Sequence, residues 1–146
     1  MRVITEDLLS IESGIIVHQV NTDGVMGAGI AKSLREKYPY MYNAYQTICS
    51  NQRDSSNLMG KLYTYHSSPL VIVNLFAQTL STNAGDGRRT SYDATVDGWH
   101  RIKRRALGRQ VYVPYGIGCG LGGGDWNIYS AIVDAILPDV IACKII

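Results

Sequence analysis

The residues of this chain that could do chemistry gather in two stretches, each rich in glycine. The first reads His18-Gln19-Val20-Asn21-Thr22-Asp23-Gly24-Val25-Met26-Gly27-Ala28-Gly29 and combines an imidazole, two amides and a carboxylate with three glycines. The second reads Gly116-Ile117-Gly118-Cys119-Gly120-Leu121-Gly122-Gly123-Gly124-Asp125 and holds six glycines ahead of a carboxylate. Without a Cβ, the backbone N–H groups of such loops can approach an anionic oxygen closely, and at a helix start they cradle phosphate. Two loops of this kind suit a diphosphate ligand, although either loop by itself is equally well explained by tight turns. Asn21 offers both a hydrogen-bond donor and an acceptor. His18 has the right acidity for general acid or base work at neutral pH.

The elements that must position these residues follow from hydrophobic period. Apolar runs rich in Val and Ile predict strands over Arg2 to Ile4, Gly14 to Val20, Gly60 to His66, Leu70 to Phe76, Gln110 to Tyr115 and Val140 to Ile145. Helical patterns predict helices over Gly27 to Lys37, Tyr40 to Ser50, Ser91 to Leu107 and Asp125 to Leu137, the third capped by Thr90. Tyr129, Ile132, Val133 and Ile136 form one apolar stripe, and Tyr92, Val96, Trp99, Ile102 and Ala106 another; both read as core. Strands alternating with helices predict a helix-covered sheet in a single domain over residues 1–146. Both glycine stretches then fall where strand passes into helix, outside the carboxyl ends of strands, where α/β sheets bind ligands.

Composition narrows the class. The chain is 46% hydrophobic with a formal net charge of +2, and no run approaches the length of a membrane span. The first ten residues lack the basic start and apolar middle of a secretion signal, so a soluble cytoplasmic protein is expected. Cys49, Cys119 and Cys143 are widely spaced and form no CxxC pair, which fits reduced thiols and gives no metal-ligand spacing; no metal and no cofactor are expected. The basic cluster Arg101, Lys103, Arg104, Arg105 and Arg109 reads as a solvated helix end with cations near its C-terminus, a nucleic-acid footprint being the alternative. No GxxxxGK[ST] occurs and the first loop does not satisfy GxGxxG, which disfavours triphosphate hydrolysis.

The run from His18 to Ala31, followed by Val113-Pro114-Tyr115-Gly116-Ile117-Gly118-Cys119-Gly120-Leu121-Gly122, resembles the macrodomain superfamily in order and spacing. With Asp7-Leu8-Leu9 near the start, the resemblance covers nearly the whole chain. It looks closest to the short branch holding ADP-ribose-1''-phosphate phosphatases and the terminal ADP-ribose protein glycohydrolase. The resemblance implies an α/β fold, a mixed central sheet of about six strands flanked by helices on both faces. It implies that Asp7, with Leu8 beside it, accepts from the adenine amino group, although Glu6 stands where the family usually has glycine. It implies that Asn21 holds the distal ribose, that Gly27, Ala28 and Gly29 wrap that ribose and the diphosphate, and that Gly116 to Gly122, including Ile117, Cys119 and Leu121, form the second phosphate loop.

His18 matches a position that the phosphatase branch uses catalytically, and Asp125 matches its partner loosely, displaced by three glycines. The residues alone allow a structural histidine, since strand alternation sets His18 and Asn21 on opposite faces, and a helix-capping Asp125. Asn74-Leu75-Phe76-Ala77-Gln78-Thr79 lacks the lysine that the glycohydrolase member and its DNA-directed relatives use, so covalent lysyl catalysis is not expected. The expected activity is removal of the 1''-phosphate from ADP-ribose-1''-phosphate by noncovalent attack of water, with His18 as base and Asp125 as its partner. A noncatalytic reader of ADP-ribose, and a hydrolase of ADP-ribosyl linkages on protein or nucleic acid, are the alternatives. The protein is expected to be a monomer whose partners are ADP-ribose, its 1''-phosphate or ADP-ribosylated macromolecules. In the Thr79 to Thr90 segment, Arg88 or Arg89 is expected to meet a phosphate, a solvated loop being the alternative.

Overall fold

A computed structural model of the chain describes residues 1–80 and 87–145, and every structural statement below refers to them. The strands are β1 (Arg2–Thr5), β2 (Gly14–Asn21), β3 (Leu62–Ser67), β4 (Leu70–Gln78), β5 (Val111–Pro114) and β6 (Ile141–Lys144). The α-helices are α1 (Gly29–Lys37), α2 (Pro39–Ser50), α3 (Tyr92–Ala106) and α4 (Trp126–Ile136), with single 3-10 turns at Leu8–Ser10 and Ser55–Leu58. Each expected strand and helix is present, most with boundaries moved by a residue or two.

The strands make one mixed sheet in the order β1-β6-β5-β2-β4-β3, parallel throughout except for the antiparallel β3/β4 edge. β2 and β4 are adjacent interior strands, and both faces of each are buried, which is why their sequences are almost continuously apolar. Ile15, Val17, Val71, Val73 and Leu75 join Trp99, Ile102, Tyr129 and Val133 of α3 and α4 in one core. Ile16, Val20, Ile72 and Phe76 join Leu34, Met41 and Tyr45 of α1 and α2 in the other. Gly98 lets α3 lie close on the sheet, because a Cβ there would fall 2.0 Å from Leu75 Cδ1. No described helix is long and apolar enough to cross a membrane.

Two local features depart from the sequence reading. Ser91, not Thr90, caps α3 by accepting from the Ala94 N–H at 3.1 Å. The Thr90 hydroxyl donates instead to the Gly118 carbonyl at 2.7 Å, tying the start of α3 to the second glycine loop. The β2/β4 register also shifts between Val20 and Asn21. This bulge overrides simple alternation, so that the Asn21 amide meets the Tyr45 hydroxyl from α2 at 2.7 Å.

Candidate functional site

The carboxyl ends of β2, β4 and β5 open into a crevice with two lobes. One stretch, a cavity of about 370 Å³, runs between residues 25–31 and residues 114–122, with Gln19, Asn21, Gln78, Leu80 and Arg89 at its polar end. The second lobe is lined by Leu8, Cys143 and Ile145 with Ser33 and Lys144, and shares Gly29, Ile30, Pro114 and Tyr115 with the first. Tyr115, at the junction, packs its ring against Trp126 at 5.0 Å and under Lys144 Nζ at 4.6 Å. One lobe therefore combines apolar side chains with Lys144, the other carries amides and Arg89, and glycine lies between them.

The glycines divide into two kinds. At Gly118 a Cβ would lie 2.6 Å from the Tyr129 ring, at Gly122 2.5 Å from Thr90 Oγ1, and at Gly124 2.7 Å from the Gly118 carbonyl. These are packing glycines. At Gly29, Gly116 and Gly120 a Cβ would meet nothing within 4 Å. Gly29 and Gly116 have positive φ, which favours glycine for backbone reasons; Gly120 has neither constraint. It lines the crevice, and its missing side chain leaves that part of the wall open. On the facing wall, α1 starts at Gly29 with Ala28 as an N-cap that offers no side-chain acceptor, so the first-turn amides are left for a ligand.

A hydrogen-bond network holds the second loop in place. Gln19 donates to Gln78 Oε1 and to Thr90 Oγ1, both at 2.8 Å, and accepts from the Tyr129 hydroxyl at 3.1 Å. The Gly122 carbonyl accepts from the N–H groups of Arg89 and Thr90, each at 2.9 Å. Strands β2 and β4, helix α4 and the second glycine loop are joined through these bonds. Neither Gln19 nor Gln78 was singled out from sequence, since an amide within an apolar strand carries no motif.

The structure places Gly27, Ala28, Gly29, Gly116, Ile117, Gly118, Gly120, Leu121 and Gly122 along the crevice, and Leu8 in its apolar lobe. Asp7 caps the Leu8–Ser10 turn through the Leu9 N–H at 3.0 Å, beside that lobe. Asn21 lines the crevice, but its Oδ1 accepts from the N–H groups of Asp23 and Val25 and from Tyr45, and its Nδ2 donates to the Val25 carbonyl at 2.7 Å. The amide thus shapes the loop around residues 21–25. Cys119 is absent from the crevice wall; its thiol donates to the Ile117 carbonyl at 3.3 Å, and burial pushes its pKa up to about 11.

The pair expected to be catalytic does not come together. His18 is fully buried, on the face of β2 that meets α1 and α2, opposite Asn74 in the register. Its Nε2 bonds Asn74 Oδ1 at 2.6 Å, its Nδ1 has no partner, and burial lowers its pKa to about 4. Asp125 is exposed, caps α4 by accepting from the Asn127 N–H at 2.8 Å, and does not line the crevice. Neither lines the crevice: His18 is sealed in the core against Asn74 and Asp125 caps α4, so both take the structural roles that the residues allowed. Of the two arginines, Arg89 lines the crevice, whereas Arg88 donates to the Thr90 carbonyl at 2.9 Å and sits 4.3 Å over the Tyr92 ring. Residues 81–86 of that segment, including Asp86, lie outside the described residues.

No protein-family model matches the chain. It is 32% identical over 141 residues to a protein of Mycobacterium tuberculosis named DNA ADP-ribosyl glycohydrolase, covering 92% of this chain and 38% of that protein. It is 37% identical over 92 residues to an ADP-ribose 1''-phosphate phosphatase of Saccharomyces cerevisiae, covering 61% of this chain and 51% of the yeast protein. The chain thus spans about half or less of the length of these relatives. Among solved structures, the macrodomain of Mycobacterium tuberculosis DarG superposes with a TM-score of 0.76 at 27% identity, over 99% of this chain and 95% of that one. Mixed six-stranded sheet, glycine loops at the strand ends and these relatives agree, and the chain belongs to the macrodomain superfamily.

Proposed function

We propose that the crevice binds ADP-ribose and that the protein is a hydrolase acting at the distal ribose, releasing phosphate from ADP-ribose-1''-phosphate by noncovalent attack of water. The observation that carries the binding claim is the pair of glycine walls, above all Gly120, whose missing side chain serves neither the backbone nor the packing. The apolar lobe at Leu8, Ile30 and Ile145 suits adenine, with Asp7 beside it to accept from the amino group. The amides of residues 28–31 and 116–122 suit the diphosphate, with Arg89 adding a cation. The polar end at Asn21, Gln19 and Gln78 suits the distal ribose. Amides aimed at phosphate oxygens also stabilise the charge that develops as a bond to the ribose breaks.

A second reading, hydrolysis of an ADP-ribosyl linkage on nucleic acid, draws support from the glycohydrolase relative, which matches 92% of this chain. Among the described residues, the stretch that ends at Asn21, Gln19 and Gln78 is lined by no lysine, and the lysine of the other lobe, Lys144, lies over the Tyr115 ring at the end read as adenine-binding, so either reaction is read as noncovalent. The test sets ADP-ribose-1''-phosphate beside an ADP-ribosylated oligonucleotide. Phosphate release supports the first reading and release of ADP-ribose the second. Tight binding of ADP-ribose with turnover of neither would reduce the protein to a reader.

A further inference from the structure

The crevice holds no histidine and no carboxylate along its described walls, yet a noncovalent hydrolysis needs a group to take a proton from water. One carboxylate stands at its polar rim. Asp23 follows Asn21 in the first glycine loop, and its Oδ2 accepts from the N–H of Leu80, a residue of the crevice wall, at 2.9 Å. Its own N–H donates to Asn21 Oδ1 at 3.0 Å, so backbone and side chain are both fixed. Oδ1 of Asp23 has no hydrogen-bond partner among the described residues. On its other side the residue borders a polar hollow of about 700 Å³, formed with Thr22, Asn43, Gln46, Thr47 and Ser50. The carboxylate thus lies between the polar end of the crevice, at Asn21 and Leu80, and an open polar hollow with room for water.

We propose that Asp23 is the general base of the hydrolysis; this rests on the reading that the crevice binds ADP-ribose with its distal ribose at the polar end. The Asp23 carboxylate takes a proton from a water whose oxygen forms the new bond to phosphorus. The bond between phosphorus and the 1''-oxygen breaks, the electron pair stays on that oxygen, and the proton passes from Asp23 to it. The products are ADP-ribose and inorganic phosphate. In a glycosidic conjugate the same water would attack C1'', the electron pair leaving with the attached group and the proton following it.

Asp23→Asn separates this role from loop-holding, because the asparagine oxygen can still accept from Leu80 while no longer acting as a base. The experiment measures kcat against pH on whichever of the two substrates the wild type turns over, with calorimetric titration of ADP-ribose in parallel and Asp23→Ser as a second variant. The expected result is a fall in kcat of about a hundredfold or more, disappearance of the acid limb of the pH profile, and unchanged ADP-ribose affinity in both variants. Near-wild-type kcat in Asp23→Asn overturns the proposal and leaves the crevice reading intact. Loss of ADP-ribose affinity in both variants also overturns it, showing Asp23 to be a loop-shaping residue. Wild-type protein that binds ADP-ribose without turnover overturns the hydrolase reading together with this inference, and absence of binding overturns the crevice reading itself.

Discussion

An imidazole sealed between β2, β4 and the helices α1 and α2 contributes to folding rather than to proton exchange with a ligand. His18 stays neutral in the folded chain until about pH 4, against an ordinary value of 6.5, because burial penalises its charged form. The unfolded chain therefore takes up a proton that the folded chain refuses across this window. Stability is free of the penalty above pH 6.5 and falls as the pH drops toward 4, by about 3 kcal/mol in all from this group. His18→Gln, which keeps an N–H for Asn74, should flatten the thermal midpoint between these pH values while leaving ADP-ribose affinity unchanged. A mutant that keeps the full acid sensitivity would assign it elsewhere. Asp125→Ala should lower stability by about 1 kcal/mol through loss of the α4 cap, read as a lower midpoint in thermal unfolding with turnover retained. From residue types alone His18 was ambiguous. What decided it was its register opposite Asn74, a long-range pairing that no local pattern encodes.

The two strand-to-helix loops divide their glycines between packing and access, and substitution should separate the two. Gly120→Ala faces open space at ordinary φ, so its thermal midpoint should match wild type while calorimetry shows ADP-ribose affinity reduced tenfold or more, about 1.4 kcal/mol. Gly118→Ala should do the reverse first, losing about 1–3 kcal/mol of stability, since its Cβ would press the Tyr129 ring from a residue at φ +74°. Equal binding by Gly120→Ala and wild type would remove the loop from the site. At this scale the sequence was most informative. Apolar runs at β2 and β4 and helical stripes on α3 and α4 announced the elements, and glycine density announced the loops between them. The bulge after Val20 was not legible, because it depends on Asn21 finding Tyr45 across 24 positions. The anchoring of Gly122 by Arg89 and Thr90 was hidden for the same reason: it joins segments that meet only when the sheet has formed.

Across the whole molecule, the crevice exists because α3 and α4 close one face of the sheet and α1 and α2 the other, leaving the strand ends open between them. The approach of α3 depends on Gly98, which is otherwise an unfavourable helix residue. Gly98→Ala gains about 1 kcal/mol of helix propensity but drives a methyl into Leu75, and the net outcome should be a loss of about 1–2 kcal/mol in denaturant unfolding. ADP-ribose affinity should survive, since the contact lies in the core shared by α3 and β4 rather than in the crevice. An increase in stability would mean that Leu75 moves aside freely.

Calorimetric titration of ADP-ribose into the wild-type protein, with Gly120→Ala as the control, tests the central claim most directly. Saturable one-to-one binding that weakens in the control is the predicted result. Absence of binding to the wild type, or identical binding by the two proteins, would contradict the assignment of the crevice as the ADP-ribose site.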